Sequence, residues 1–190
     1  MVETIKYAEY EWFLWLNSFH SPTWDVVMLW VTHRFTWLPL YGYLIYYLFK
    51  NFRLNFWQNL LFITFSVGLS DRITSGLMKP YFQRFRPCHD PVIQPIVHVL
   101  GNCGGQYGFA SSHAANCFAL AMAFYLLNGS KKLSFFLFIW AIIVSYSRIY
   151  VGVHFPTDLL AGALVGTFIT FLLFVFKTKI NSNFFINQKP

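Results

Sequence analysis

The sequence predicts an all-α fold: a polytopic transmembrane helix bundle of about five spans plus an N-terminal interfacial helix, with six spans as the alternative. Three observations favour this class. The 190 residues are 56% hydrophobic, 22% aromatic and 11% charged, which is too apolar for a soluble domain of this length. Long apolar runs alternate with short polar or basic turns. The basic residues are also segregated along the chain, as in proteins with a defined cytoplasmic side.

The net charge of +7 comes from two short turns and the C-terminal segment. All seven acidic residues lie elsewhere, beside the other seven basic residues. This distribution follows the positive-inside rule and argues against nucleic-acid binding. The segregated basic residues are Lys50, Arg53, Lys131, Lys132, Lys177, Lys179 and Lys189.

The first 33 residues are predicted to form interfacial helices. Residues 5–20 are aromatic but carry three charges, which suits an amphipathic helix at the membrane surface better than a span. A break at Pro22 starts a second short helix that extends to about Val31. The first span then ends at Phe49, with Pro39 as a candidate kink.

A second span, Phe56–Met78, follows the first basic turn. Residues 80–110 are rich in Pro, Gly and polar side chains, so they are predicted to form an extramembrane loop. If both basic turns are cytoplasmic, this loop and the junction at residues 147–155 share the opposite, outward side.

Three further spans complete a single domain of residues 1–190. Ser111 and Ser112 are suited to cap the first of them, and Pro156 suits the first turn of the last. The three spans are His113–Leu127, Leu133–Tyr146 and Pro156–Phe176.

Two of the three cysteines lie in the outward loop. Cys88 and Cys103 could form a disulfide there in an oxidising compartment, whereas Cys117 lies inside a span as a small apolar residue. The spacing of these loop cysteines with His89 and His98 does not follow a zinc-binding pattern, so no metal site is predicted.

A titratable cluster lies where the last two spans meet. Charged groups at membrane depth are costly, so Arg148, His154 and Asp158 form a candidate site. His154 and Asp158 are four residues apart, which would put them on one face of a helix, where a carboxylate makes an imidazole more basic and fixes its tautomer. Arg148 offers a forked cation suited to phosphate. The alternative is a satisfied ion pair at a helix junction.

Two more clusters fall on the same predicted face. Lys79 and Arg86 are separated by six residues, and their alternative interpretation is a pair of basic side chains that extend towards water at the end of a span. His113 lies at the start of a helix, where free backbone N–H groups favour an anion, although a single histidine at such a place is more often structural.

Together, the order and spacing of these residues resemble the type 2 phosphatidic acid phosphatase family, also called the lipid phosphate phosphatases, which shares its site with vanadium haloperoxidases. The second motif departs from the family's Pro-Ser-Gly-His, because Ala110 and Ser112 replace its Pro and Gly. Serine keeps the backbone N–H and adds a hydroxyl, so we expect activity to persist with altered selectivity. The residues that match are Lys79, Arg86-Pro87, Ser111, His113, Ser147-Arg148, His154 and Asp158.

The resemblance implies a role for each residue. His154 would attack phosphorus to form a phosphohistidine, Asp158 would orient it, and His113 would protonate the leaving oxygen and then activate water. No cofactor or metal is expected, since fixed cations would neutralise the phosphate and no carboxylate cluster is present to hold magnesium. The phosphate-binding residues would be Lys79, Arg86, Ser111, Ser112 and Arg148.

The short chain and the outward site suit an enzyme of the bacterial inner membrane whose site faces the periplasm. The resemblance implies that its partner is a phosphorylated lipid. Undecaprenyl pyrophosphate is the first choice of substrate, with lipid A phosphate and phosphatidylglycerol phosphate as alternatives; the oligomeric state is left open. A phosphate-binding transporter is the alternative class, but transporters place their sites near the membrane midplane, whereas these motifs lie at span ends. A haloperoxidase would be soluble, which the composition opposes.

Overall fold

The structure, a computed structural model, describes the backbone of residues 2–186 and the side chains of residues 6–179. Lys189, part of the predicted basic tail, lies outside these residues. The described chain contains eight α-helices and, apart from one bridge between Phe85 and Tyr107, no β-structure. The helices are α1 (Val2–Asn17), α2 (Pro22–Thr32), α3 (Leu38–Asn51), α4 (Phe56–Asp71), α5 (Lys79–Phe82), α6 (Ser112–Leu126), α7 (Lys131–Tyr150) and α8 (Pro156–Ile186).

Helix starts follow the local chemistry of the sequence. Ser111 caps α6 by accepting a hydrogen bond from the backbone N–H of Ala114, and Ser130 caps α7 in the same way. Pro156 occupies the first turn of α8, where its missing N–H has no cost. Pro39 lies in the first turn of α3, so the expected kink there is wrong.

Two predicted boundaries are also wrong. The second span continues beyond Met78, because a π-helical segment, Arg72–Met78, joins α4 to α5 without a break, and the chain turns only at Gln83 with a φ of 46°. The fourth span continues to Tyr150, since no Gly or Pro interrupts it, so Arg148 lies in the last turn of α7 and not in a junction.

Helix α6 lies at the centre of the bundle and packs against α4, α7 and α8. Two glycines of α8, four residues apart, allow a close approach of its backbone to α6. A Cβ atom at Gly162 would lie 2.3 Å from the carbonyl oxygen of Ser111, and one at Gly166 would lie 2.1 Å from that of Ala115. The glycines therefore fix how closely the starts of α6 and α8 approach each other.

The two basic turns meet at one end of the bundle. A Cβ atom at Gly129, in the second turn, would lie 2.7 Å from the hydroxyl oxygen of Tyr47, near the end of α3. The ends of α5 and α7 and the starts of α6 and α8 therefore gather at the opposite end, together with residues 83–111. This arrangement places all three motifs at that end.

Large apolar side chains cover the outside of the helices. On α8, Leu160, Leu164 and Phe168 are each more than half exposed, as expected for a surface that faces lipid. Judged by length and composition alone, the helices at Lys131–Tyr150 and Pro156–Lys179 are able to cross a membrane.

Candidate active site

His154 and Asp158 form a buried pair at the start of α8. His154 Nδ1 lies 3.2 Å from Asp158 Oδ2, which also accepts the backbone N–H of Phe155 at 3.0 Å. His154 is 1% exposed and Asp158 is 0% exposed. The four-residue spacing thus predicted the contact, but the reason was wrong: His154 precedes the helix, and the turn before Pro156 brings it to the carboxylate. The engaged Nδ1 leaves Nε2 as the ring nitrogen free for chemistry.

The starts of α6 and α8 are joined directly. The backbone N–H of Ser111 donates to the carbonyl oxygen of Asp158 at 2.9 Å. Nearby, a Cβ atom at Gly108 would lie 3.0 Å from Asp158 Oδ2 and 3.5 Å from His154 Nδ1, so a side chain at this position would crowd the pair. His113 is the second residue of α6 and is half-buried. The N-terminus of α6 therefore lies beside the His154–Asp158 pair.

Ser112, the residue that departs from the family motif, contacts Lys79. Lys79 Nζ donates to Ser112 Oγ at 3.2 Å, and a hydrogen bond of 3.0 Å joins Ser112 Oγ to Thr74 Oγ1 in the π-helical segment. The added hydroxyl thus positions a predicted phosphate-binding lysine.

Arg86 is held by the loop opposite α6. Its Nε donates to the carbonyl oxygen of Tyr107 at 3.2 Å, and its side chain is 8% exposed. Cys88 and Cys103 form a disulfide, with Cα atoms 6.3 Å apart, that ties the two halves of this loop together. Burial lowers the pKa of Arg86 from its ordinary value.

Arg148 reaches the same region from the last turn of α7. Its Nη1 donates to the hydroxyl of Thr32 at the end of α2. Within the described residues, its Nε is buried without a hydrogen-bond partner. A buried guanidinium N–H without a partner is well placed for an anionic ligand.

The cations act together on His154. Burial is the main cause that lowers the pKa of His154 well below 6.5, and the positive charges of four nearby side chains lower it further. His154 is therefore neutral at pH 7, which leaves a lone pair on one ring nitrogen. These side chains are Arg86, Arg148, Lys79 and Arg84.

Comparison with known proteins identifies the family. A model of the PAP2 superfamily matches residues 57–182. The chain belongs to this superfamily. The resemblance found in the motifs is thereby confirmed.

Its relatives include two lipid A phosphatases. The lipid A 4'-phosphatase of Bacteroides thetaiotaomicron is 34% identical over 188 residues, which cover 96% of this chain and 82% of that protein. The lipid A 4'-phosphatase of Porphyromonas gingivalis is 35% identical over 170 residues, which cover 87% of this chain and 71% of that protein. An undecaprenyl-diphosphatase of Sulfolobus acidocaldarius is 44% identical, but over 66 residues that cover 35% of this chain and 32% of that protein.

A solved structure shares the fold. The crystal structure of a transmembrane PAP2 type phosphatidylglycerolphosphate phosphatase from Bacillus subtilis superposes with a TM-score of 0.70 at 23% identity, and covers 93% of this chain and 88% of that one. The predicted all-α membrane bundle is therefore confirmed. The family model and the named relatives confirm the predicted enzyme class, a lipid phosphate phosphatase. The protein is a membrane PAP2 phosphatase that acts on lipid phosphates.

Several side chains of this PAP2 site were missed by the sequence-based prediction. Arg84 contacts Asp158 and Glu9, and Thr32 contacts Arg148. An arginine inside the first motif was a detectable signal for Arg84. For Glu9 and Thr32 the sequence holds no such signal, because their contacts join segments that are far apart in the chain.

One group of potential metal ligands occurs in the described residues, formed by Cys88, His89 and Cys103. Both sulfurs belong to the disulfide, so they cannot serve as thiolate ligands. The group does not fit a metal site.

Proposed function

We propose that this PAP2 protein is a lipid A phosphatase that removes the 4'-phosphate. The observation that carries the proposal is the length of the match to the two lipid A 4'-phosphatases, 96% and 87% of this chain. These matches extend beyond the three phosphate motifs into parts of the chain where a headgroup would be selected.

Undecaprenyl pyrophosphate, the first choice from the sequence, is less well supported. The Sulfolobus acidocaldarius undecaprenyl-diphosphatase matches 35% of the chain, and a second such enzyme from Bacillus subtilis matches 45%. Matches of this extent reflect the chemistry that PAP2 enzymes share, and lipid A phosphate therefore replaces undecaprenyl pyrophosphate as the proposed substrate.

The phosphate would bind where the three motifs meet. Lys79, Arg86 and Arg148 surround His154 closely enough to lower its pKa, so their charges can neutralise the phosphate oxygens. The hydroxyl of Ser111 and the free backbone N–H groups at the start of α6 add donors to the same side.

In the first step, the lone pair of His154 Nε2 forms a bond to phosphorus. The bond between phosphorus and the sugar oxygen breaks, and that oxygen keeps the electron pair and takes a proton from His113, whose protonated form the negative charge of the bound phosphate would stabilise. Asp158 accepts the hydrogen bond of Nδ1–H and stabilises the positive charge that develops on the ring.

In the second step, His113 takes a proton from water as the water oxygen attacks phosphorus. The bond between phosphorus and His154 breaks, and its electrons return to Nε2. Inorganic phosphate is released, and both histidines regain their starting protonation. The fixed cations serve both steps, and no metal is assigned a role.

We also propose that the site faces the periplasm from the inner membrane. The two basic turns lie at the end of the bundle opposite the motifs, which suits a cytoplasmic location for those turns under the positive-inside rule.

A substrate panel tests the proposal. Purified protein in detergent micelles is incubated separately with bis-phosphorylated lipid A, undecaprenyl pyrophosphate and phosphatidylglycerol phosphate, and released phosphate is measured. We expect the highest kcat/KM with lipid A, and fragment masses that place the loss at the 4' position. A higher kcat/KM for undecaprenyl pyrophosphate, or loss from the 1 position, would contradict the proposal. His154→Asn protein, checked for folding, is the inactive control.

A further inference from the structure

Both oxygens of the Asp158 carboxylate are occupied, each by a different part of the chain. Oδ2 contacts His154 Nδ1 at 3.2 Å, and Oδ1 contacts Arg84 Nη1 at 3.1 Å. Asp158 is fully buried, so its charge depends on these neighbours for compensation. Arg84 is the partner that carries a permanent positive charge and forms an ion pair with this carboxylate.

Arg84 is itself held on several sides. Its Nη1 also contacts the hydroxyl oxygen of Thr157 at 2.6 Å, and its Nη2 forms an ion pair with Glu9 of helix α1. Its guanidinium carbon lies 4.4 Å from the centre of the Phe155 ring. Glu9 in turn accepts hydrogen bonds from the backbone N–H and the hydroxyl of Thr157. These contacts fix the plane of the guanidinium group.

This environment differs from that of the arginine assigned to phosphate. Arg148 has a buried Nε without a hydrogen-bond partner in the described residues, so it retains a donor for a ligand. Arg84 directs both of its Nη groups to acceptors within the protein. Arg84 is therefore arranged to act on Asp158, although it lies within the same motif as the predicted phosphate ligands Lys79 and Arg86.

We propose that Arg84, braced by Glu9, is a positioning residue that keeps Asp158 charged and oriented, so that His154 presents Nε2 to the phosphorus atom. The inference rests on the histidine mechanism of the proposed function, but not on the identity of the lipid. It also makes α1 part of the active site, because Glu9 connects this N-terminal helix to the catalytic pair.

The proposal predicts an effect on turnover and not on phosphate binding. Without Arg84, Asp158 would be a buried carboxylate without its ion-pair partner, which favours its protonation or reorientation. His154 Nδ1 would then lose its acceptor, and the ring would lose its preferred tautomer. The phosphate cradle formed by the other cations would remain.

The experiment compares Arg84→Gln, Arg84→Lys and Glu9→Gln with the wild type, on whichever lipid of the panel the wild type hydrolyses fastest. Arg53→Gln, an exposed change in the first basic turn at the far end of the bundle, is the matched control. We expect Arg84→Gln to lower kcat by about 100-fold, while KM and the inhibition constant of vanadate stay within about threefold. Arg84→Lys should recover part of the loss, and Glu9→Gln should lower kcat by about fivefold.

A double variant separates positioning from other roles. If Arg84 acts through Asp158, then Arg84→Gln combined with Asp158→Asn should be no slower than Asp158→Asn alone. Additive losses would overturn the proposal. A rise in KM and in the vanadate inhibition constant at unchanged kcat would also overturn it, because that result would make Arg84 a phosphate ligand.

Melting temperatures identify any variant that fails to fold, and Arg84→Lys and Glu9→Gln then carry the test. Preference for another lipid would refute the lipid A assignment while leaving this comparison intact.

Discussion

At the scale of single residues, the protonation of His154 follows from where the chain buries it. Burial and nearby cations lower its pKa well below 6.5. An unfolded chain would therefore take up a proton near pH 6.5 that the folded chain does not bind. The unfolded state binds more protons in this range, so stability rises with pH and falls as the pH drops below 6.5.

This gives a prediction for stability. The free energy of unfolding should fall by up to about 1.4 kcal/mol for each pH unit below 6.5 because of His154, and His154→Asn should remove that part of the slope. Melting temperatures of the wild type and of His154→Asn, measured from about pH 7.5 to about pH 5, give the difference between the two slopes. Parallel curves for the two proteins would show that His154 titrates normally in the folded state.

Ser112 gives a second prediction at this scale. Its hydroxyl contacts Lys79 and Thr74, so Ser112→Gly removes a hydrogen bond to the lysine but keeps the lysine charge and the backbone N–H. We expect kcat/KM for lipid phosphate to fall by about fivefold, since one hydrogen bond contributes about 1 kcal/mol and the lysine keeps its charge.

The matched control is Lys79→Gln, which removes the charge itself and should lower kcat/KM by about 100-fold. A loss of similar size in Ser112→Gly would mean that the hydroxyl contacts the reacting phosphate directly.

At the scale of elements, the contact between α6 and α8 sets the geometry of the site. Gly166→Ala would place a methyl group 2.1 Å from the carbonyl oxygen of Ala115, so the helices must separate. Because Ser111 and Asp158 are hydrogen-bonded at the starts of these helices, we expect a lower melting temperature together with lower kcat.

Gly68→Ala is the control for this prediction, since Gly68 lies in the helix α4 and a Cβ atom there would meet no atom within 4 Å. Its expected effect on stability is neutral or favourable by up to about 1 kcal/mol, because alanine is the better helix former. Equal effects of the two changes would show that the helix contact is looser than the structure indicates.

At the scale of the whole molecule, the position of the motifs predicts an orientation. In spheroplasts, a membrane-impermeant maleimide should label Ile96→Cys, an exposed position near the site, without cell lysis. Lys132→Cys, in the second basic turn, should be labelled only after lysis. The reverse pattern would place the active site on the cytoplasmic side.

The wild-type protein serves as the background in this experiment. Cys88 and Cys103 are joined in a disulfide, and Cys117 is buried, so labelling of the unmodified chain should be low.

The sequence by itself determined the fold class, the superfamily and the residues of the three motifs, because hydropathy, turn chemistry and motif spacing are local properties. It placed the helix starts at Ser111 and Pro156 well for the same reason. It misplaced the ends of the second and fourth spans. The second helix continues past Pro80 to Phe82 through a π-helical segment, and no Gly or Pro stops the fourth before Tyr150.

Only the tertiary structure decided what surrounds those motifs. Arg84 meets Asp158 across 74 positions of the chain, and Glu9 and Thr32 join the site from helices α1 and α2. No local pattern encodes such contacts, because they depend on how the helices pack and not on spacing along one helix. The same packing leaves Arg148 Nε without a hydrogen-bond partner in the described residues and engages both Nη groups of Arg84, and this difference separates a predicted phosphate ligand from a proposed positioning residue.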